Sequence, residues 1–515
     1  MLLPGYVLTL DMVFVPEIPA PRIAPGSYWN AALFRAPLYL LGQVLPGWLV
    51  QKLVLIGLFT ILPLQAYRFL VPKNASSSVR AIVALFYTVN PFVYTRFLAG
   101  QWTILVAYSL LPTVWHFVQR VGAGERKAAL YLAGAMLVTT AFSLHFGVIA
   151  AFVCLFGLIG SVQARNKQAW VSLGIAVAAT FVGSLYWLIP AWLRTGTSIV
   201  EVFDVRHLEA FRTAGQGVKE TLLNVLSLYG FWGEREAWAD QFLWARDIPV
   251  LWISSGLVLL GQIVLGAFLM LREKPARRLG LALLGLAVCA FIFSCGVGDT
   301  PFKSINNWLF SHVSFWQGFR DSQKWSGVLV LVYAFFLGHA LDGSYLRAKR
   351  ALVVIAILAY TFPQLFGFFH RLKPIYYPDA WHEANAILEN DPTCKALFLP
   401  WHLYFSLKFN RGLLTASPAR DFFKCEMVTS RQVELGEIGQ QGPIDPAYDA
   451  IEGVVTGKDG WNSEQSLEIL RTAGIKYVVF AKDVQDSDQW KYEFLNQPSL
   501  KSYTWDGLTI YQLTN

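Results

Sequence analysis

Ten stretches of this chain are long and apolar enough to cross a bilayer as helices, and none carries an acidic residue in its interior. A spanning helix needs about 20 mostly apolar residues to cross about 30 Å of hydrocarbon. The stretches lie near residues 47–71, 80–97, 101–120, 128–143, 146–162, 169–193, 249–271, 279–296, 324–342 and 350–369. Only 15% of the 515 residues are charged, against roughly 25% in soluble globular chains. An ordinary soluble enzyme is excluded, and a polytopic α-helical membrane protein with about ten transmembrane helices is expected.

The net charge of +8 is a topology signal. Residues 1–369 hold 28 basic and 15 acidic residues, whereas residues 370–515 hold 14 and 19. In the first part the basic residues gather in alternate connections: Arg68, Lys73 and Arg80; Arg120, Arg126 and Lys127; Arg165 and Lys167; Arg272, Lys274, Arg277 and Arg278; Arg347, Lys349 and Arg350. Glu125, Glu273 and Asp342 alone oppose them, so the positive-inside rule places these turns in the cytoplasm. A nucleic-acid binder would instead cluster its cations on one soluble face among stacking aromatics, so no nucleic-acid partner is expected. The segments 1–46, 98–100, 144–145, 194–248, 297–323 and 370–515 then face outward. An outward start has to be carried across, yet MLLPGYVLTL is too short to span and lacks the parts of a signal peptide. A further span upstream is therefore expected.

Composition turns polar near residues 370–375, which sets a boundary between a membrane domain (1–369) and a soluble one (370–515). In the second, KALFLPW reads as a strand, SEQSLEILRTAG as a capped helix ending at Gly474, IKYVVFA as a buried strand and LKSYTWDGLTIYQL as a hairpin turning at Asp506-Gly507. These give an extracytoplasmic α/β or α+β domain without a nucleotide or zinc motif, suited to facing substrate or to capping. Cys394 and Cys425 both fall in it, where a disulfide is open to them, while Cys154, Cys289 and Cys295 read as packed apolar residues.

Intramembrane carboxylates usually mark ion pathways, and their absence weighs against a coupled transporter. The ionisable residues gather at the outer ends instead. PGYVLTLDMVFVPEIP carries Asp11 in an apolar surround, with Glu17 after it; a carboxylate against apolar surface has a raised pKa and can take a proton from a hydroxyl, or it can simply cap a turn. In NPFVYTRFLAGQW, Pro91 and Gly100 break the helix near the interface, where Arg96 can meet a lipid phosphate or snorkel. His145, in SLHFG, is placed for a phosphate or a sugar hydroxyl, or for a structural bond. FDVRHLEAFRTAG and LSLYGFWGEREAW offer Arg206 and His207 beside Tyr229, Phe231 and Trp232; WLFSHVSFWQGFRDSQKWSG offers Trp316, Gln317, Arg320, Asp321 and Lys324. Aromatic rings beside polar groups suit a sugar, and cations at headgroup level suit a phosphate; an aromatic belt with interfacial anchors is the structural alternative.

The order LDMVFVP, NPFVYTRFLAGQW, LYGFW, GFRDSQKW and an outward α/β tail resembles the GT-C superfamily of membrane glycosyltransferases, nearest its YfhO-type and arabinofuranosyltransferase-like members, over most of the chain. The resemblance implies transfer of a sugar from a polyprenyl-phosphate donor to an extracytoplasmic glycan, lipid or protein acceptor on the outer side of the lipid bilayer. It implies an acidic base in the first outward loop, here Asp11 with Glu17 as second choice. Arg320, Lys324 and Arg96 would hold the donor phosphate, and His145, Arg206, His207, Tyr229, Trp232, Trp316, Gln317 and Asp321 would shape the sugar and acceptor pocket. Fixed cations on a departing phosphate call for no cofactor, although a divalent metal stays open. This chain departs from the family pattern in lacking the first span and a paired-acid motif. A lipid or polysaccharide transporter or flippase, with a polar route and broken helices at mid-membrane, and a non-catalytic envelope scaffold are the rival readings.

Overall fold

The computed structural model describes residues 3–21, 29–71, 75–161, 166–193, 203–235, 247–342, 347–435, 438–440, 445–457, 460–485 and 491–513. Lys73 and Arg165 of the basic turns lie outside them. Helix α1 (Ala32–Gly42) is followed by α2 (Gly47–Phe69), α3 (Ser77–Thr88), α4 (Pro91–Leu98), α5 (Trp102–Ser109), α6 (Leu111–Gly122), α7 (Arg126–Phe142), α8 (Leu144–Ser161) and α9 (Lys167–Trp192). Two short helices, α10 (Val205–Ala210) and α11 (Gly217–Leu226), precede α12 (Pro249–Arg272), α13 (Lys274–Cys295), α14 (Lys303–His312), α15 (Ser326–Asp342) and α16 (Arg347–Tyr360).

Among the described residues seven helical segments are long and apolar enough to cross a membrane, and an eighth, Ala348–Tyr360 with Phe362–Phe369, is bent by 71°. The chain is a multi-pass membrane protein. Two expected spans take another form. The stretch 101–120 is divided into α5 and α6 at Leu110, just ahead of Pro112, which has no N–H to continue the ladder. The stretch 128–143 is α7, of 17 residues. Both pack among the longer helices, α5 on α2, α6 on α7 and α8, and α7 on α9.

The break at Asn90-Pro91 sits inside one span, Ser77–Leu98. In hydrocarbon every freed backbone group needs a partner, and side chains supply them. Asn90 caps α4 by accepting from the Val93 N–H at 3.1 Å, and its Nδ2 donates to the Phe86 and Tyr87 carbonyls at 3.0 and 2.9 Å. Gln364, beyond the bend after α16, accepts from the Asn90 N–H at 3.3 Å and donates to the Thr88 carbonyl at 2.7 Å.

The C-terminal part is a five-stranded sheet in the order β4-β1-β7-β9-β8, made of β1 (Lys395–Leu399), β4 (Glu426–Val428), β7 (Tyr477–Ala481), β8 (Lys501–Trp505) and β9 (Leu508–Gln512). Strand β1 runs parallel to β4 and β7, while β9 is antiparallel to β7 and β8. Inward residues alternate along β1. Leu397 and Leu399 meet helices Pro446–Thr456 and Ser463–Thr472, whereas Ala396 and Phe398 meet helix Asp379–Glu389 through Trp381. A disulfide joins Cys394 to Cys425, tying the starts of β1 and β4. The small hairpin β2 (Tyr404–Ser406) and β3 (Leu414–Ala416) follows β1, and the antiparallel pair β5 (Gln432–Leu435) and β6 (Ile438–Gln440) follows β4.

The N-terminal strap binds this part to the helices. Tyr6 exchanges backbone hydrogen bonds with Ile375 at 2.7 and 2.8 Å; the Leu10 N–H donates to the Leu414 carbonyl at 2.8 Å, and its carbonyl accepts from Ala416 at 2.8 Å. On the other side Gln51 of α2 brackets the Val7 backbone at 2.9 and 2.7 Å, and Thr9 Oγ1 donates to the Leu98 carbonyl at 2.6 Å. Helix ends, strap and sheet thus meet at one end of the molecule.

Candidate active site

A cavity of about 670 Å³ opens where these elements meet. Asp11, Gln101, His145 and Lys324 line it, together with Asn30 and Arg35, an aromatic wall, and Ala416, Ser417 and Asp421 from the C-terminal part. Asp11 stands at the tip of a tight turn closed by Met12 N–H to Thr9 carbonyl at 2.8 Å. Leu10, beside it, has φ +39°, a strained value for a branched residue of the kind that collects at functional sites. The turn is seated on Gly100, at φ +74°, where any Cβ would strike the Thr9–Met12 backbone. The Asp11 N–H donates to the Ala99 carbonyl at 3.1 Å. A side chain at residue 100 would therefore displace Asp11.

The Asp11 carboxylate faces the cavity while protein surrounds it on its other sides, and this enclosure raises its pKa above the ordinary carboxylate value. Two donors oppose the rise: Tyr404 Oη at 2.8 Å from Oδ1 and Gln101 Nε2 at 3.3 Å from Oδ2. Burial, with the Asp11 charge next, pushes the Tyr404 hydroxyl far above its ordinary range, so Tyr404 serves as donor. The Gln101 amide is oriented by Arg96, whose Nη1 donates to Gln101 Oε1 at 2.8 Å and so turns Nε2 toward Asp11.

Arg96 is fully buried and makes a bidentate pair with Asp321, Nη1 to Oδ2 at 2.5 Å and Nη2 to Oδ1 at 2.9 Å. Its guanidinium lies 4.8 Å from the Phe231 ring. Burial alone would raise the Asp321 pKa, but Arg96 and Lys324 outweigh it and hold the carboxylate at about 2. Gln323 adds a donor, its Nε2 lying 3.0 Å from Asp321 Oδ1 in the amide orientation that also lets Oε1 accept from Thr213. Lys324 Nζ stays 3.8 Å from Asp321 Oδ2 and reaches the cavity wall. The two carboxylates thus shift in opposite directions, Asp11 upward on the cavity wall and Asp321 downward behind it.

His145 is on the wall too, with Nε2 2.7 Å from the Gly318 carbonyl. The bond ties the start of α8 to the 314–320 turn. The other residues expected at the site do not line the cavity. Arg96 and Asp321 lie behind the wall as each other's counter-ion. Arg320 stacks on Phe203 and Phe211, 4.0 and 4.3 Å from their ring centroids, and burial brings its pKa down to about 10. Glu17 is exposed and pairs with Lys424 at 3.1 Å. Arg206 and His207 both bind Asp204 at 2.8 Å and finish the cap of α10. Tyr229 packs edge-on to Trp252, Trp232 edge-on to Phe211, and Trp316 within a cluster of Phe293, Phe319 and Trp325. Gln317 is half-buried in the 314–320 turn, off the wall.

The cavity's own aromatic wall is Phe14, Phe34, Trp102 and Phe142. Phe34 stacks on Phe142 at 4.6 Å and meets Trp102 edge-on at 5.8 Å. Trp102 and Gln101 directly follow the Gly100 turn, which is the local signal that marks them. Phe34 and Arg35 sit on α1 without such a mark, and nothing near Tyr404 announces its partner 393 residues away. Among the described residues no group of three or more His, Cys, Asp or Glu side chains is placed to hold a metal.

No family model matches the sequence, and no curated protein does. Solved structures do. The mycobacterial arabinofuranosyltransferase AftD, determined by cryo-EM, superposes with a TM-score of 0.68 at 16% identity, over 99% of this chain and 38% of that one. The fold of this chain is AftD-like. Two structures of an AftD mutant agree, with TM-scores of 0.65 and 0.62 at 15% identity over 99% of this chain and 40% of theirs. The chain spans about two fifths of the length of these AftD chains. Within the AftD-like fold the superposition takes in the helices, the N-terminal strap and the α/β part together, the three elements that wall the cavity.

Proposed function

We propose that this chain is a membrane glycosyltransferase that moves a sugar from a polyprenyl-phosphate donor to an extracytoplasmic glycan, lipid or protein acceptor. One observation carries the reading: Asp11, with its raised pKa, and the cation Lys324 share a cavity walled by membrane helices on one side and by the α/β part on the other. The volume, about 670 Å³, is within the range of small-molecule sites.

The chemistry is a single inverting displacement. Asp11 takes the proton of the acceptor hydroxyl as its oxygen attacks the anomeric carbon. The bond from that carbon to the phosphate oxygen breaks, and the negative charge that builds on the leaving phosphate is met by Lys324, with Arg35 on α1 as a second cation at the wall. Fixed cations on the departing phosphate need no nucleotide. Phe34, Trp102 and Phe142 offer ring faces to the sugar. The donor enters from the bilayer past α1, and residues 370–515 form the extracytoplasmic module that closes the cavity, on the side opposite the basic turns. A scaffold gives no reason for a strained turn to aim a carboxylate into a cavity. A transporter gives no reason for its polar groups to stop at one end of the helices.

Asp11→Asn is the test. Transfer from a polyprenyl-phosphate sugar should fall below detection in proteoliposomes, with expression and donor binding retained. Turnover at the wild-type rate would remove Asp11 from the mechanism.

A further inference from the structure

The end of the molecule opposite the cavity holds a second concavity. A groove of about 490 Å³ runs between the last turns of α8 and the first turns of α13, lined by Phe156, Ile159, Lys274, Arg277, Arg278 and Leu281. The helices come close because Gly160 lies against Leu279 and Ala282, and Gly285 against the Phe156 ring. Arg278 Nε donates to the Ile159 carbonyl at 2.8 Å, which satisfies a backbone acceptor at the end of α8 and fixes the guanidinium at the rim. Lys274 and Arg277 stand exposed beside it. The neighbouring acid, Glu273, is engaged by His339 at 3.3 Å.

The groove does not end in water. Its apolar side continues as a strip of Leu155 and Ile159 on α8 and Leu281, Leu284 and Val288 on α13, exposed by 40 to 54%. At 1.5 Å per residue, Leu281 to Val288 covers about 10 Å toward the middle of the bilayer. A soluble anion would use the cations and leave this strip idle, and a plain lipid chain would use the strip and leave the cations idle. A molecule with a phosphate at one end and hydrocarbon at the other uses both.

We propose that the groove between α8 and α13 is a binding site for an anionic phospholipid of the leaflet on that side, its headgroup held by Lys274, Arg277 and Arg278 and an acyl chain laid along the Leu155–Val288 strip. The ligand is structural or regulatory, because the groove lies at the far end of the helices from Asp11.

The full chain, purified in detergent and stripped of lipid, would be titrated with phosphatidylglycerol and with phosphatidylcholine of identical acyl chains and read by native mass spectrometry. Phosphatidylglycerol should bind about tenfold more tightly, and Lys274→Gln combined with Arg277→Gln should abolish the preference. Arg126→Gln combined with Lys127→Gln, in another basic turn, should preserve it. Thermal midpoints in the same detergent verify that the variants are folded; should the double variant denature, each single substitution gives the same comparison at smaller amplitude. Equal binding of the two lipids overturns the proposal, as does a preference that survives in the variants or vanishes equally in the control pair. Glycerol 3-phosphate or an acidic peptide binding as tightly as phosphatidylglycerol would assign the groove to a soluble partner and overturn it too.

Discussion

Removing one hydroxyl tests whether the α/β part takes part in the chemistry. Tyr404→Phe keeps the ring and deletes the 2.8 Å bond to Asp11 Oδ1. A hydrogen bond to a charged group contributes about 1.5–3 kcal/mol, and because the carboxylate opens to the cavity the lower end applies. That is about one pKa unit. In the proposed mechanism Asp11 works ionised, so the rate should climb with pH through the Asp11 pKa, which already lies above the ordinary carboxylate value. The lost bond favoured the ionised form; without it the acid limb of the pH–rate profile should move up by about one unit. On that limb the variant should turn over about tenfold more slowly, recover toward wild type at higher pH, and keep its KM for the donor. The assay is transfer from a polyprenyl-phosphate sugar in proteoliposomes, with kcat and KM measured across pH. A fall of equal size at every pH, with the limb unmoved, would mean that Tyr404 only braces the fold, and the assignment of Asp11 as its client base would fail.

Asp321→Asn should leave the Arg96 guanidinium buried without its counter-charge, a change of about 3–5 kcal/mol, seen as loss of folded protein in detergent. Arg96→Met with Asp321→Leu, which removes both charges, should recover much of the thermal midpoint but not the activity, since Gln101 is then no longer oriented. Gly100→Ala should lower activity strongly, because its Cβ enters the Thr9–Met12 turn and its φ of +74° becomes strained; the thermal midpoint should fall with it. Glu17→Gln should leave transfer unchanged, as Glu17 is exposed and pairs with Lys424 at the surface. Cys394→Ser with Cys425→Ser opens a loop of 31 residues and should destabilise the α/β part by about 3–4 kcal/mol in the chain-entropy picture, read as a lower unfolding midpoint that reductant reproduces in the wild type.

Much of the architecture was legible because hydrocarbon imposes strict rules on sequence. Charge-free apolar runs mark helices, and alternate basic turns mark which ends lie together. The strands of KALFLPW, IKYVVFA and LKSYTWDGLTIYQL follow from alternation and a turn at Asp506-Gly507, and they are β1, β7 and the β8–β9 pair. Where sequence and structure differ, the cause is tertiary. Arg96 reads as an interfacial cation until its partner Asp321, 225 residues on, is seen to occupy it. The aromatic groups at Tyr229–Trp232 and Trp316 read as a sugar platform because Trp, Phe and Tyr serve equally in a packed cluster and on a cavity wall. Only the packing assigns that place to Phe34, Trp102 and Phe142.

The position of Tyr404 also says why an α/β part is attached to a bundle of helices. In open sheets with parallel strands, side chains converge beyond the carboxyl ends of the strands. Here the carboxyl end of β1, at Leu399, leads through Trp401 and Leu403 into β2, whose first residue is Tyr404. The Ser417 N–H returns to the Leu403 carbonyl at 2.8 Å, which folds Ala416 and Ser417 back onto the cavity wall beside Asp11. The strap is held on its other flank by α2 and the end of α4. Asp11 is therefore gripped between two bodies, and neither alone fixes its carboxylate. On this geometry the carboxylate proposed as base is oriented only when the α/β part has docked, so activity and docking should be lost together in any variant that loosens the Leu10–Leu414–Ala416 contacts, even with the helices intact.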